Sequence, residues 1–351
     1  MSVNTAAPSA YGRLFMVGLP GPRLDPVARS LVRELRVGGV VLFARNLESP
    51  QQIWELTRAL QQEALAAAGL PLLIAVDQEG GPVERLKAPF ASLPSARELG
   101  RRASPQEVED LARQTAWELA LVGFNVNLAP VLDVARGPEC PLYERSYGAD
   151  PELVAALGQA ALRGYLAGGV LPVVKHFPGL GDTLRDSHVE LPTAQGKDPS
   201  RQVDLLPFRR AVAAGAPLVM TAHILVPEWD ARPATLSPVA IRTWLRRELG
   251  FAGVVMTDDL EMGAIAGQVP VPRAAREALA AGADLLLICE RSESAWEAAA
   301  LLQEDETLWA RVQEAGRRLE GLRRQLTPSA ATLAEVKEYF AQARHTAKPG
   351  N

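Results

Sequence analysis

Short, nearly uninterrupted apolar runs recur along the chain at Leu14–Val17, Gly39–Phe43, Leu72–Val76, Val126–Ala129, Val170–Val174, Leu218–Thr221, Val254–Thr257 and Leu285–Ile288. None alternates cleanly with polar positions, and several are rich in valine. Strands covered on both faces of a parallel sheet have this pattern, because neither face meets water. The intervening segments carry helical periodicity with legible ends. Ser104-Pro105-Gln106-Glu107 combines a capping serine, a first-turn proline and a capping-box glutamate. Val108, Leu111, Ala112, Thr115, Leu119 and Val122 then trace one face, and Gly123 supplies a left-handed stop. A second helix is predicted from Pro151 to Ala167, ending at Gly168-Gly169.

Eight strands interleaved with helices predict an α/β fold of the (β/α)8 TIM-barrel type, with an open doubly wound sheet as the alternative. The barrel is expected over about residues 11–290. Helices predicted at Trp296–Gln303, Leu308–Leu326 and Leu333–Ala343 form a C-terminal extension over about 291–346. No Gly/Ser-rich linker or repeat divides the chain, so one catalytic domain spanning 1–351 is expected. No Gly-x-Gly-x-x-Gly follows the first strand, which argues against a dinucleotide site.

Composition narrows the chemistry. The 351 residues are 48% hydrophobic and 22% charged, an ordinary globular balance. A formal charge of −4 gives no electrostatic case for nucleic acid, and no apolar run reaches membrane-span length. Met1 to Ala10 lack a basic start followed by an apolar stretch, so a cytoplasmic protein is expected. Cys140 and Cys289 are too few for a disulfide framework, and only His176, His188, His223 and His345 are available as imidazole ligands. A metal site is therefore not expected.

In a parallel barrel the working face lies at the carboxyl ends of the strands. The residues that follow the apolar runs are Asp77-Gln78-Glu79-Gly80-Gly81; Asp133 and, later, Glu144-Arg145; Lys175-His176 leading to Asp186-Ser187-His188; Ala222-His223; and Asp258-Asp259. Each has an ordinary structural reading. Asp77 and one of Asp258 and Asp259 suit helix or turn caps, His223 suits a hydrogen-bonded core position, and Arg145 suits a loop salt bridge or a substrate clamp. Lys175 at a strand end needs an anion or acceptors, unless its stem reaches past the rim. It also fits a Schiff-base lysine. Asp186 lies two residues from His188, where a carboxylate can orient and charge an imidazole. Crowding of so many polar groups on one rim is what stability alone does not require.

The motifs Asp77-Gln78-Glu79-Gly80-Gly81, Lys175-His176-Phe177-Pro178-Gly179, Asp186-Ser187-His188 and Thr257-Asp258-Asp259-Leu260-Glu261-Met262 resemble those of glycoside hydrolase family 3. The match is to its single-domain β-N-acetylhexosaminidase branch and runs from about Arg13 to Ile288. The resemblance implies a retaining glycosidase without metal or cofactor, acting on a small-molecule carbohydrate. Asp258 would be the nucleophile and His188 the acid/base, oriented by Asp186. Asp77, Arg145, Lys175 and His176 would hold the sugar hydroxyls, and Lys175 with Arg145 would keep Asp258 ionised. Two positions depart from the pattern: Pro82 replaces an arginine after Gly-Gly, and Leu180 replaces a histidine. Phosphorolysis, β-glucosidase activity, a non-catalytic sugar-binding barrel and a lysine-dependent aldolase are the alternatives.

Overall fold

The computed structural model describes residues 9–195 and 201–346, with side chains from 10 to 342. His345 therefore lies outside the described side chains. Eight parallel strands form one sheet: β1 (Phe15–Gly18), β2 (Gly39–Leu42), β3 (Leu73–Val76), β4 (Val126–Asn127), β5 (Leu171–Phe177), β6 (Leu218–Thr221), β7 (Val254–Thr257) and β8 (Leu286–Ile288). Neighbours in sequence pair along the sheet, and β8 pairs with β1. The parallel bridge between Met256 and Leu285 joins β7 to the approach of β8 and closes the barrel. Each predicted apolar run contains or overlaps one strand. Their side chains are almost entirely buried because the barrel interior and the surrounding helices cover opposite faces.

The principal helices are α1 (Pro50–Ala68), α2 (Pro105–Leu121), α3 (Pro151–Ala167), α4 (Gln202–Ala213), α5 (Val271–Ala281), α6 (Glu293–Glu304), α7 (Trp309–Arg323) and α8 (Leu333–Thr346). The reciprocal Ser104–Glu107 capping box opens α2, as predicted. Gly123 follows it with φ +93°, and a Cβ there would lie 2.3 Å from Thr57 Oγ1. Both the backbone conformation and the close approach of α1 require glycine. Between β6 and β7 the helical role falls to Val239–Glu248, wound with π-type turns.

The C-terminal helices pack on the barrel. Arg311 and Arg318 of α7 pair with buried Asp284 just before β8. Phe340 of α8 meets Phe90 at 4.5 Å between ring centres, and the Tyr339 hydroxyl donates to Glu118. No helix among the described residues is long and apolar enough to cross a membrane.

One strand runs past its predicted end. The apolar run stops at Val174, yet β5 extends through Lys175 and His176 to Phe177. The Lys175–His176 and Phe177–Pro178 peptides are cis, and the register with β6 shifts between Val174 and Phe177. Asp133 explains how polar residues remain in the strand. Its carboxylate accepts from the His176 backbone N–H at 3.2 Å and the Leu180 N–H at 2.6 Å.

Candidate active site

A cavity of about 390 Å3 opens at the carboxyl ends of the strands. Asp77, Arg145, Lys175, His176, Asp186, His188 and Asp258, which come from five separate stretches of chain, all line it. The backbone placement follows from the motifs. Buried Gln78 accepts from the N–H groups of Arg85 and Leu86, donates to the Leu86 carbonyl, and receives both amide functions of Asn127 on its own backbone. This pins the small hairpin Gln78–Gly80/Val83–Glu84, which fixes buried Glu79 and, just before it, Asp77 at the cavity edge. Pro82 is exposed on the turn of that hairpin.

Lys175 is buried between two carboxylates, 2.8 Å from Asp77 and 2.6 Å from Glu79. Burial disfavours its charge, but Asp77 and Glu79 outweigh that cost and raise its pKa. An ammonium held this firmly is not a Schiff-base nucleophile, which removes the support for the aldolase alternative. Arg145 grips Glu79 through two bonds of 2.8 Å. Burial opposes ionisation of Glu79, yet Lys175 and Arg145 hold its carboxyl far below the usual range. Arg145 is thus in the salt-bridge geometry while also lining the cavity, and its guanidinium lies 3.5 Å from His176 Nε2.

The partner of His176 is Asp133, 2.7 Å from Nδ1. With the carboxylate as acceptor, the proton of this bond sits on Nδ1, and Nε2 faces the Arg145 guanidinium. His188 is oriented similarly but locally. Asp186 accepts from its backbone N–H at 2.9 Å and from Nδ1 at 2.7 Å, so Nε2 is the nitrogen outside this pair, on an exposed side chain. Burial works against the Asp186 charge, but these two bonds lower its pKa.

Asp258 and Asp259 are adjacent yet differ. Burial resists ionisation of Asp258, but His223 and then His176 lower its pKa, with further help from the Asp259 N–H and Lys175. Lys175 thus acts in the direction expected of it, while the Arg145 guanidinium is engaged by Glu79. Asp259 is pushed up to about 7 by burial, Glu261 and Asp258. Its Oδ1 accepts from the Glu261 and Cys289 backbones, so it serves as a cap. His223 is fully buried between Thr235 and the Asp259 carbonyl, at 2.9 and 2.8 Å, in the core role expected of it.

Three important groups carry no role in the sequence reading: Glu79, Asp133 and Arg85. Arg85 lines the cavity and lies 3.9 Å from Asp77. Glu79 and Asp133 stand inside the motifs, but only long-range geometry shows what they hold. Leu180, the other departure, is buried and contributes an apolar patch to the cavity wall. Among the described residues no group of three or more His, Cys, Asp or Glu is arranged to hold a metal ion.

Comparison with known proteins agrees with this architecture. The sequence profile described as "Glycosyl hydrolase family 3 N terminal domain" matches residues 10–322. A protein named "Beta-hexosaminidase" from Alkalilimnicola ehrlichii is 41% identical over 286 residues, covering 80% of this chain and 81% of that protein. Another of the same name from Thiobacillus denitrificans is 38% identical, covering 95% of this chain and 93% of its own length. The solved family 3 β-N-acetylglucosaminidase from Paenibacillus sp. str. FPU-7 superposes with TM-score 0.87 at 38% identity, over 95% of this chain and 68% of that one. NagZ from Neisseria gonorrhoeae, solved with N-trifluoroacetyl-D-glucosamine, gives TM-score 0.77 at 29% identity, over 95% of this chain and 96% of that one. With its barrel and motif residues in this order, the chain belongs to glycosyl hydrolase family 3 and is a glycoside hydrolase.

Proposed function

We propose that the enzyme is a single-domain, retaining β-N-acetylglucosaminidase that removes non-reducing terminal N-acetylglucosamine. The observation that carries this reading is the convergence of an ionised aspartate, Asp258, and the oriented Asp186–His188 dyad on one cavity. Retention needs a nucleophile and an acid/base on the scissile bond. Asp258 forms a bond to the anomeric carbon as the bond to the leaving oxygen breaks, and His188 Nε2–H gives that oxygen its proton. Neutral Nε2 then takes a proton from water, whose oxygen displaces Asp258. Asp186 stabilises the imidazolium and keeps the proton of the neutral ring on Nδ1.

Asp77, Arg145, Lys175 and His176 are assigned to the sugar hydroxyls. An ammonium has three donors, and Asp77 and Glu79 take two from Lys175, leaving one for a sugar oxygen. Peptidoglycan-derived fragments processed in the cytoplasm are the proposed natural substrates. Arg85, beside Asp77, and Arg185, paired with Glu190, line the cavity as the candidate contacts for a carboxylate-bearing aglycone. The names and titles of the relatives support the N-acetylglucosamine preference. The test is a parallel assay of aryl N-acetyl-β-glucosaminide and aryl β-glucoside, each with and without phosphate. Hydrolysis of the first alone, without a sugar phosphate product, is expected. Preference for the glucoside or phosphate-dependent turnover would refute the assignment.

A further inference from the structure

Asp186 and His188 lie between Asp182 and Arg201 in the chain, and those two residues meet. Arg201 Nη1 lies 3.3 Å from Asp182 Oδ2, and its Nη2 lies 3.0 Å from Asp204 Oδ2. Arg136, arriving from the loop after β4, completes a ring at 3.1 Å from Asp182 and 2.9 Å from Asp204. Two guanidinium groups thus alternate with two carboxylates. The side chains of Asp182, Arg201 and Asp204 are each 3% exposed, while that of Arg136 is 38% exposed.

The ring is fixed to rigid parts of the barrel. Arg201 also donates to the Gly179 carbonyl, just beyond β5, and the Arg136 N–H donates to the Gly181 carbonyl. A Cβ on Gly181 would fall 2.0 Å from the Val134 carbonyl oxygen, so the start of the segment lies directly against the stretch that follows β4. At the other end, Asp204 lies in α4, whose Phe208 packs on Phe177 of β5. The dyad itself is an exposed local pair. Its backbone is held by the His188 and Ser187 carbonyls, which accept from Gly263 and Ala264.

We propose that Asp182, Arg201, Arg136 and Asp204 are positioning residues for proton transfer. They form a buried ionic neck that clamps both ends of the segment and so sets where His188 stands over the cavity. Closing a long loop costs chain entropy, and three buried charges ringed with the partly exposed Arg136 tolerate little displacement. A lost partner leaves an uncompensated buried ion. The inference rests on the acid/base reading of His188.

The experiment combines leaving-group dependence with a structural probe. Asp182→Asn, and Arg136→Gln as a partly exposed alternative should the first fail to fold, are compared with wild type and His188→Ala. For each, kcat/KM is measured on 2,4-dinitrophenyl and methyl N-acetyl-β-glucosaminides. Trypsin cleavage at Arg185 in the folded protein reports release of the segment. The neck variants should lose about tenfold or more on the methyl glycoside but less than about threefold on the dinitrophenyl substrate, with faster cleavage at Arg185. If His188→Ala shows the leaving-group signature while folded neck variants lose activity equally on both substrates, or on neither, the positioning role is overturned. If His188→Ala lacks that signature, the acid/base reading itself fails, whatever the trypsin rates.

Discussion

Replacing Glu79 with glutamine tests the electrostatic frame of the site without touching a proposed catalytic group. In the native cluster, Lys175 and Arg145 face Glu79, with Asp77 as the second anion. All but Asp77 and Arg145 have side chains no more than 5% exposed, and those two stand at 15% and 16%. Glutamine keeps the shape and one acceptor, but leaves two buried cations sharing one carboxylate. Breaking such a buried pair costs about 3–5 kcal/mol. For 351 residues, at ~2.1 cal/mol/K of unfolding entropy per residue, this corresponds to a fall in Tm of about 4–7 °C. The pH dependence gives a second reading. The folded-state pKa of Glu79 lies below its unfolded value, so its stabilisation is present above the unfolded pKa and is lost as pH falls toward the folded one. Thermal unfolding of wild type should therefore shift downward more steeply than that of Glu79→Gln between about pH 5 and 3. A Tm change within about 1 °C, with parallel pH profiles, would refute the view that the carboxylate neutralises this cluster.

Asp258→Asn should abolish turnover while retaining sugar binding, and labelling with a 2-fluoro sugar should place the adduct on Asp258; an adduct on Asp133 or Asp259 would reassign the nucleophile. His188→Ala should slow disaccharide cleavage by about 10²-fold or more while sparing attack on a nitrophenyl glycoside. Azide should then restore turnover and yield a β-glycosyl azide of retained configuration, and equal losses on both substrates without that product would exclude an acid/base role. Prolonged chelation should leave activity intact, and loss restored by zinc would overturn the mechanism.

The local chain was informative wherever one segment's own chemistry decided its conformation. A strand covered on both faces must be apolar nearly throughout, so the eight runs marked the eight barrel strands. The Ser104–Glu107 box and Gly123 marked the ends of α2 because caps are satisfied within a few residues. The Asp186–His188 pair was legible for the same reason, being only two residues apart. The extension of β5 through Lys175 and His176 was not, since their acceptors come from other strands and loops.

The sequence by itself therefore determined the barrel's alternation and the set of polar residues delivered to one rim. Tertiary structure decided how those residues are paired. Asp133 holds His176, Glu79 joins Lys175 to Arg145, and His223 is locked between Thr235 and the Asp259 carbonyl. These choices follow from desolvation and Coulomb interaction across a few ångströms between segments far apart in the chain. Periodicity records which face of an element is buried, but not which charge from another strand will meet it there.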